Sequence, residues 1–377
     1  MPPKIDEAIL SALSLDAAAA TITSHGGSGF ASTFKITSQG NDGKEKLYFV
    51  KTGKGKDSEV MFTGRSFLPS HFDVTNLSPP EMGKVQTTLS STITRKGEHT
   101  SLKAIHDAVP SLCPKSYAHG LLSTGNDSFL ATDFLNLSPS SYTSTPPGTG
   151  LSLAQKLAKL HSTPAPIPYG YEKPVFGFPV TTCCGDTAQD NSFKESWAEF
   201  YAENRLRGIL KAAERNNGKD EELSELVEVT ASKVVPRLLR NGHLKDGKMG
   251  GDILPVVIHG DLWSGNHGKG TIGDGGVEEV VFDPSSCWAH SEFEFGIMRM
   301  FGGFGSGFER EYAKFKPKDE PVDEWEDRVL LYELFVGIEA GSSVVAAITW
   351  KSTLPLPDAK EKAQVTADSD HIRRHLA

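Results

Sequence analysis

The sequence predicts an α+β protein of two lobes, a small β-rich lobe followed by a larger, mainly helical one, and three observations carry that expectation. At 377 residues the chain is too long for one compact core and long enough for two. Its early part holds β-branched and aromatic runs broken by glycine, "ITSHGGSGFASTFKIT" (Ile22 to Thr37) and "LYFVKT" (Leu47 to Thr52). Its later part spaces apolar residues at the helical period, as in "LSLAQKLAKLHS" (Leu151 to Ser162).

Each element follows in order. Ile5, Ile9, Leu10 and Leu13 line one face of an N-terminal amphipathic helix. A strand, the glycine-rich turn and a second strand come next, then the polar hairpin "SQGNDGKEK", then a strand ending at Lys51. Arg65 to Lys96 shows neither period, is rich in Ser, Thr and Pro, and reads as an insertion within this lobe. Leu102, Ile105 and Val109 restore helical spacing, which Pro110 ends. "SFLATDFLNL" (Ser128 to Leu137) reads as a strand running into a connector. The first lobe is therefore expected over residues 1–135 and the helical lobe over 136–377. Ser152 and Gln155 stand at capping-box spacing, further helices are expected over Trp197–Ala213 and Glu221–Leu239, and "ILPVVIHG" and "VEEVVFD" read as strands.

Bulk composition narrows the function. A net charge of -9 leaves no summed positive field to draw the protein to nucleic acid or an anionic membrane. Four cysteines, two of them adjacent at Cys183 and Cys184, suit neither a disulfide framework nor a zinc site, so a reducing compartment is expected. Asp6 and Glu7 occupy the place of a basic signal segment, and no run approaches the roughly 20 apolar residues that span a bilayer. The expectation is a cytoplasmic protein without membrane or nucleic-acid partners.

One stretch carries chemistry. In "VIHGDLWSGN" (Val257 to Asn266) a strand breaks into a loop holding Asp261 and Asn266 in a D-x-x-x-x-N arrangement, and Asp283 ends the next strand 22 residues on. Phosphoryl transfer from a nucleotide needs such a set: one carboxylate to take the proton of the attacking hydroxyl, and oxygen ligands for Mg²⁺ bridging the phosphates. Lys51 supplies the cation for the phosphates, and Gly26, Gly27 and Gly29 with the Ser32 hydroxyl would let the backbone approach them. A hairpin turn needs glycine for its own dihedrals, so the glycines gain weight only from the order of parts. Glycine-rich turn, Lys51, a helix with Glu98, Asp261, Asn266 and Asp283 follow the order of a two-lobed protein-kinase-like fold.

"HGDLWSGN", "FDPSSCWAHSEFEFG" followed by "MFGGF", and "FGFPVTTCCG" resemble signature segments of the fructosamine-3-kinase or ketosamine kinase family, over roughly Ile22 to Leu334 with one break. The resemblance implies ATP-dependent phosphorylation of the O3 hydroxyl of a ketosamine, on glycated lysines of proteins or on small ketosamines. Ribulosamine is the expected form and fructosamine the alternative. The unstable product frees the amine, which makes the implied function deglycation repair. By the same resemblance Asp261 is the catalytic base, Asn266 and Asp283 hold Mg²⁺, Lys51 meets phosphate and pairs with Glu98, and Asp133 to Leu135 carries the backbone that meets adenine. Trp263, Trp288 and His290 are candidates for touching the sugar and its amine, although aromatics beside a catalytic loop also serve packing. His259 reads as a positioning residue, Glu294 as the N3 member of a capping box with Ser291, and Cys183 and Cys184 as small hydrophobes.

The departure from the family pattern is the break. "MFTG" (Met61 to Gly64) and "GEHTSL" (Gly97 to Leu102), close together in the family, are separated here by Arg65 to Lys96. It is either a surface insertion, which costs little closure entropy, or translated sequence foreign to the mature chain, such as a retained intron. Its fall inside a predicted helix favours the second account, with Glu59 as the fallback partner of Lys51. Two other functions share part of this set: a kinase of another small hydroxylated amine, of aminoglycoside or choline type, which needs neither "TTCCG" nor "DLWSGN", and a non-catalytic nucleotide-binding scaffold.

Overall fold

The computed structural model describes residues 4–28, 31–39, 43–53, 96–125, 127–137, 148–185 and 187–339. Gly29, Glu59 and residues 65–95 of the insertion lie outside them. The chain divides into two compact units, Met1–Leu151 with Gly268–Asp283, and Ser152–His267 with Pro284–Ala377.

The first unit is built on an antiparallel sheet of β1 (Ala20–Ser28), β2 (Ala31–Gln39), β3 (Glu45–Gly53), β4 (Ser116–Leu121) and β5 (Ser128–Asp133), in the order β1-β2-β3-β5-β4. Alternation sorts its faces. Ile36, Tyr48, Val50, Phe129 and Ala131 are buried on one face, where Ile5 and Ile9 of helix α1 (Glu7–Leu13) join them in a core. Asp6 fixes that helix twice, accepting the Ala8 amide as its cap and the Ser123 amide at 3.1 Å. The opposite face, half open, carries Leu47, Phe49 and Lys51. Helix α2, over 96–108, buries Leu102 and Ile105 and ends before Pro110. A second sheet joins β6 (Leu135–Asn136) to β10 (His267–Ile272) and β11 (Val277–Val281).

In the second unit, α3 (Leu153–Leu160) starts with a complete capping box: Ser152 Oγ accepts the Gln155 amide, and Gln155 Oε1 accepts the Ser152 amide, both at 3.2 Å. The expected helix from Trp197 is a continuous run, α4 (Trp197–Phe200), a π-helical stretch (Tyr201–Arg207) and α5 (Gly208–Asn217), and a second π-helical stretch (Thr230–Val234) joins α6 (Glu221–Val229) to α7 (Val235–Leu239). Periodicity alone does not distinguish such wide turns from regular helix. Strand β7 (Thr182–Cys184) pairs with β8 (Thr187–Gln189), two-residue strands β9 (Val256–Val257) and β12 (Trp288–Ala289) pair, and α8 (Glu294–Phe301), α9 (Ser306–Ala313) and α10 (Trp325–Glu339) follow. Trp197, Tyr201, Phe293 and Tyr332 form the aromatic centre, where the Trp197 indole donates to Tyr332 Oη at 2.9 Å.

Candidate active site

In the first unit, Lys51 at the end of β3 places Nζ 3.3 Å from both Glu98 oxygens on α2 and 3.1 Å from Asp283 Oδ1. One ammonium thus joins a strand, a helix and the residue beyond β11. Asp283 sits at φ 56°, a left-handed conformation that a non-glycine residue adopts at some cost, and it precedes Pro284. The glycine-rich turn is the β1–β2 hairpin, with Gly27 opposite Ser32 and an irregularity after Ser24 where Gly26 takes φ +81°. At the connector, Asp133 spends its carboxylate on the Tyr117 hydroxyl (2.6 Å) and the Lys115 amide (3.1 Å). The Phe134 amide donates to Leu47 O, its carbonyl accepts from the Gly273 amide, and Leu135 pairs with Ile272.

In the second unit, β9 delivers the loop from His259 to Asn266. The Asn266 amide group donates from Nδ2 to Asp261 O at 2.8 Å and to Asp261 Oδ2 at 3.1 Å, which turns its own oxygen, Oδ1, the other way. The Asp261 amide donates to Nδ1 of the fully buried His259 at 3.3 Å, which gives His259 a positioning role. Gly260 takes φ +80°, and a side chain there would overlap Ser285 O, so only glycine lets this loop lie against residues 285 and 286.

Glu294 overturns the capping-box expectation. Its carboxylate is fully buried and accepts the His259 amide at 2.6 Å and the Gly260 amide at 2.9 Å, while Ser291 lies in a separate 3₁₀ turn, Ser291–Phe293. The serine-to-glutamate spacing of a capping box is local and degenerate, and a contact 35 residues away outcompeted it. Burial works to raise the Glu294 pKa, but His161, His259 and the Gly260 amide outweigh it and hold the carboxyl below its usual range. His161 stands 3.5 Å away through Nε2, and burial lowers its pKa against the pull of Glu294.

The aromatic candidates separate. Trp263 is 38% exposed, lies over Gly265 and meets Phe301 at 6.1 Å. Trp288 is buried and stacked on Phe193. His290 is buried with Nδ1 on Tyr332 Oη and Nε2 on Asp319, both at 2.8 Å, so neither nitrogen is left for a sugar. His290, Glu292 and Asp319 approach as a metal-ligand trio would. Arg328 on Glu292 and Lys316 on Asp319 already compensate their charge, which makes the group a structural ion network.

The model of the fructosamine kinase family matches residues 84–340, more than half of the chain. The chain belongs to the fructosamine kinase family. The match begins inside Arg65–Lys96, the stretch the sequence marks as an insertion. Among relatives in the family, the chain is 38% identical over 160 residues to the ketosamine-3-kinase of Mus musculus, covering 42% of this chain and 46% of that one. It is 33% identical over 238 residues to a chloroplastic protein-ribulosamine 3-kinase of Oryza sativa subsp. indica, covering 63% of this chain and 61% of that one. The chain thus spans about half to three fifths of the length of these relatives. A crystal structure from Thermobifida fusca YX-ER1, provisionally named a fructosamine-3-kinase, superposes with a TM-score of 0.59 at 20% identity over 96% of this chain and 98% of that one, which establishes the shared fold. Among the described residues no helix is long and apolar enough to cross a membrane.

Proposed function

We propose that this fructosamine kinase family member transfers the γ-phosphoryl group of ATP to the O3 hydroxyl of a ketosamine on a lysine amine, preferentially a ribulosamine, and so begins deglycation of proteins in the cytoplasm. The observation that carries the reading is the Asp261–Asn266 pair, formed in the loop beyond β9 where a buried carboxylate holds the preceding amides of His259 and Gly260. The names of the mouse and rice relatives support the acceptor.

In this reading Asp261 accepts the proton of the hydroxyl as its oxygen bonds to phosphorus, while the bridging bond to ADP breaks. Asn266 Nδ2 on Asp261 Oδ2 orients that carboxylate. Lys51, aligned by Glu98, offers its ammonium to the phosphates. Asn266 Oδ1 in the second unit and the half-exposed Asp283 carboxylate in the first each offer an oxygen of the kind a hard cation takes, and in this reading they would hold Mg²⁺. When bound it would neutralise charge on the phosphates.

The test is ADP release with Mg²⁺-ATP and ribulosyl-lysine by the full chain, by Asp261→Asn and by a variant lacking Arg65–Lys96. Turnover that Asp261→Asn abolishes supports the reading. Activity only in the deletion variant would mark the insertion as foreign, and none in either form would sink the ketosamine assignment.

A further inference from the structure

Lys51 identifies the half-open face of the first unit's sheet as the one that meets the nucleotide in the function proposed above, and the register says what else that face carries. Phe49, two residues earlier on β3, shares the face, and Lys35 on β2 lies directly opposite Phe49. Thr33 lies opposite Lys51. Where β5 leaves the sheet, Phe134 meets this group: the Lys35 ammonium stands 4.9 Å from its ring centroid, and the His25 ring approaches it edge-on at 4.8 Å. His25 also meets Phe49 edge-on at 6.3 Å. Two phenyl rings, an imidazole and an ammonium thus form one patch beside Lys51 on the same face.

A nucleotide whose phosphates lie at Lys51 and which runs along this face would bring its base to the half-buried Phe49 beside the Lys35 ammonium, with the buried Phe134 ring beneath that ammonium. Aromatic rings receive any base, because every base has a π-face. The ammonium does discriminate. It offers three donors and no acceptor. Guanine turns two acceptors, O6 and N7, along one edge, whereas adenine offers N7 beside its own donor amino group. A lysine at this place rewards guanine and gives adenine less. We infer that Lys35 sets the purine preference of this chain and admits GTP as a phosphoryl donor beside ATP.

The inference rests on the nucleotide role of the Lys51 face, so the experiment measures binding without any acceptor. Titration calorimetry of the full chain with Mg²⁺-ATP and with Mg²⁺-GTP gives two dissociation constants, repeated for Lys35→Met and Lys35→Arg, with thermal melts confirming folding. The expected result is comparable binding of both nucleotides by the parent, and in Lys35→Met a GTP-to-ATP dissociation-constant ratio raised about fivefold or more, the size of a lysine contact to the O6 and N7 edge of guanine. Lys35→Arg should keep the parent ratio. ATP binding with a ratio unmoved in Lys35→Met, or with no GTP binding by the parent, overturns the role of Lys35 and leaves the kinase reading standing. Failure to bind either nucleotide overturns both.

Discussion

Glu294 Oε2 accepts the His259 amide at 2.6 Å, and the same carboxylate takes the Gly260 amide through Oε1, so the backbone just before Asp261 is held by one buried charge. Two amides at a sharp bend have no ladder partners of their own, and a carboxylate satisfies both at once. Glu294→Gln keeps the shape and removes the charge, and one of its two ends becomes a donor facing a donor. The expected outcome is a fall in kcat of about tenfold to a hundredfold, the loss of hydrogen bonds to a charged group worth ~1.5–3 kcal/mol. Nucleotide dissociation constants should stay unchanged, because Glu294 acts through the loop. Steady-state kinetics and calorimetry check the split, and an unaltered kcat would remove Glu294 from this role.

His99 follows Glu98 on α2 and makes the protein acid-sensitive near Lys51's partner. Its Nδ1 lies 2.8 Å from Ser116 Oγ and its ring 4.7 Å from that of His119. Burial first, then the charges of His119 and Lys103, push its pKa from 6.5 down to about 4. The unfolded chain takes up this proton near pH 6.5 and the folded chain does so only near 4. The unfolded state therefore binds more protons in that window, and stability, intact above it, is lost as the pH falls through it. Thermal scans at about pH 7.5 and about pH 5 should show a drop in Tm that His99→Gln, always neutral, reduces. An equal drop in both proteins would assign the acid sensitivity to other groups.

Arg328 is fully buried and binds Glu292 with two nitrogens, at 2.7 and 3.1 Å, as well as the carbonyls of Asp319 and Pro321. Asp319 in turn meets His290 and Lys316; burial works to raise its pKa, but those two partners outweigh it and keep it ionised. Arg328→Met leaves Glu292 buried without its cation, which costs about 3–5 kcal/mol. Denaturant unfolding should report that loss, and Glu292→Gln combined with Arg328→Met should lose less than the sum of the single changes. A loss below about 1 kcal/mol in the single variant would mean the network contributes little.

The parts of the fold set by local chemistry were legible in the sequence. The strand to Lys51, the helix carrying Leu102 and Ile105, and the box of Ser152 with Gln155 each follow from period or capping, and each is present. Around the candidate site the residue types could be read from spacing, but their partners could not. Lys51 and Glu98 are 47 residues apart, His259 and Glu294 are 35 apart, and nothing local distinguishes an acid that caps its own helix from one that holds a distant loop. His290 stands beside the signature residues in sequence, yet its side chain turns into the ion network, because a carboxylate and a tyrosine there satisfy both nitrogens.

Gly303 shows how tightly the loop between Asp261 and Asn266 is held. Helix α8 ends at Phe301, Gly302 turns the chain at φ +69°, and Gly303 follows at φ +99° with its α-carbon against Ser264. A methyl group there would overlap Ser264 Cβ, and the left-handed backbone resists any side chain. Gly303→Ala therefore has to move either the turn or Ser264, and Ser264 lies midway between the proposed base and the proposed metal ligand. Displacing catalytic groups by about 1 Å costs on the order of a hundredfold in rate, so kcat should fall by that order, and Tm should fall by a few degrees, because an alanine at positive φ costs about 1 kcal/mol or more. Gly305→Ala is the matched control, because nothing lies within 4 Å of a Cβ at that position and its φ is −84°. Kinetics of the two variants side by side decide the matter: a loss confined to Gly303→Ala assigns the turn to loop positioning, and equal activity in both would show that the loop accommodates the methyl group.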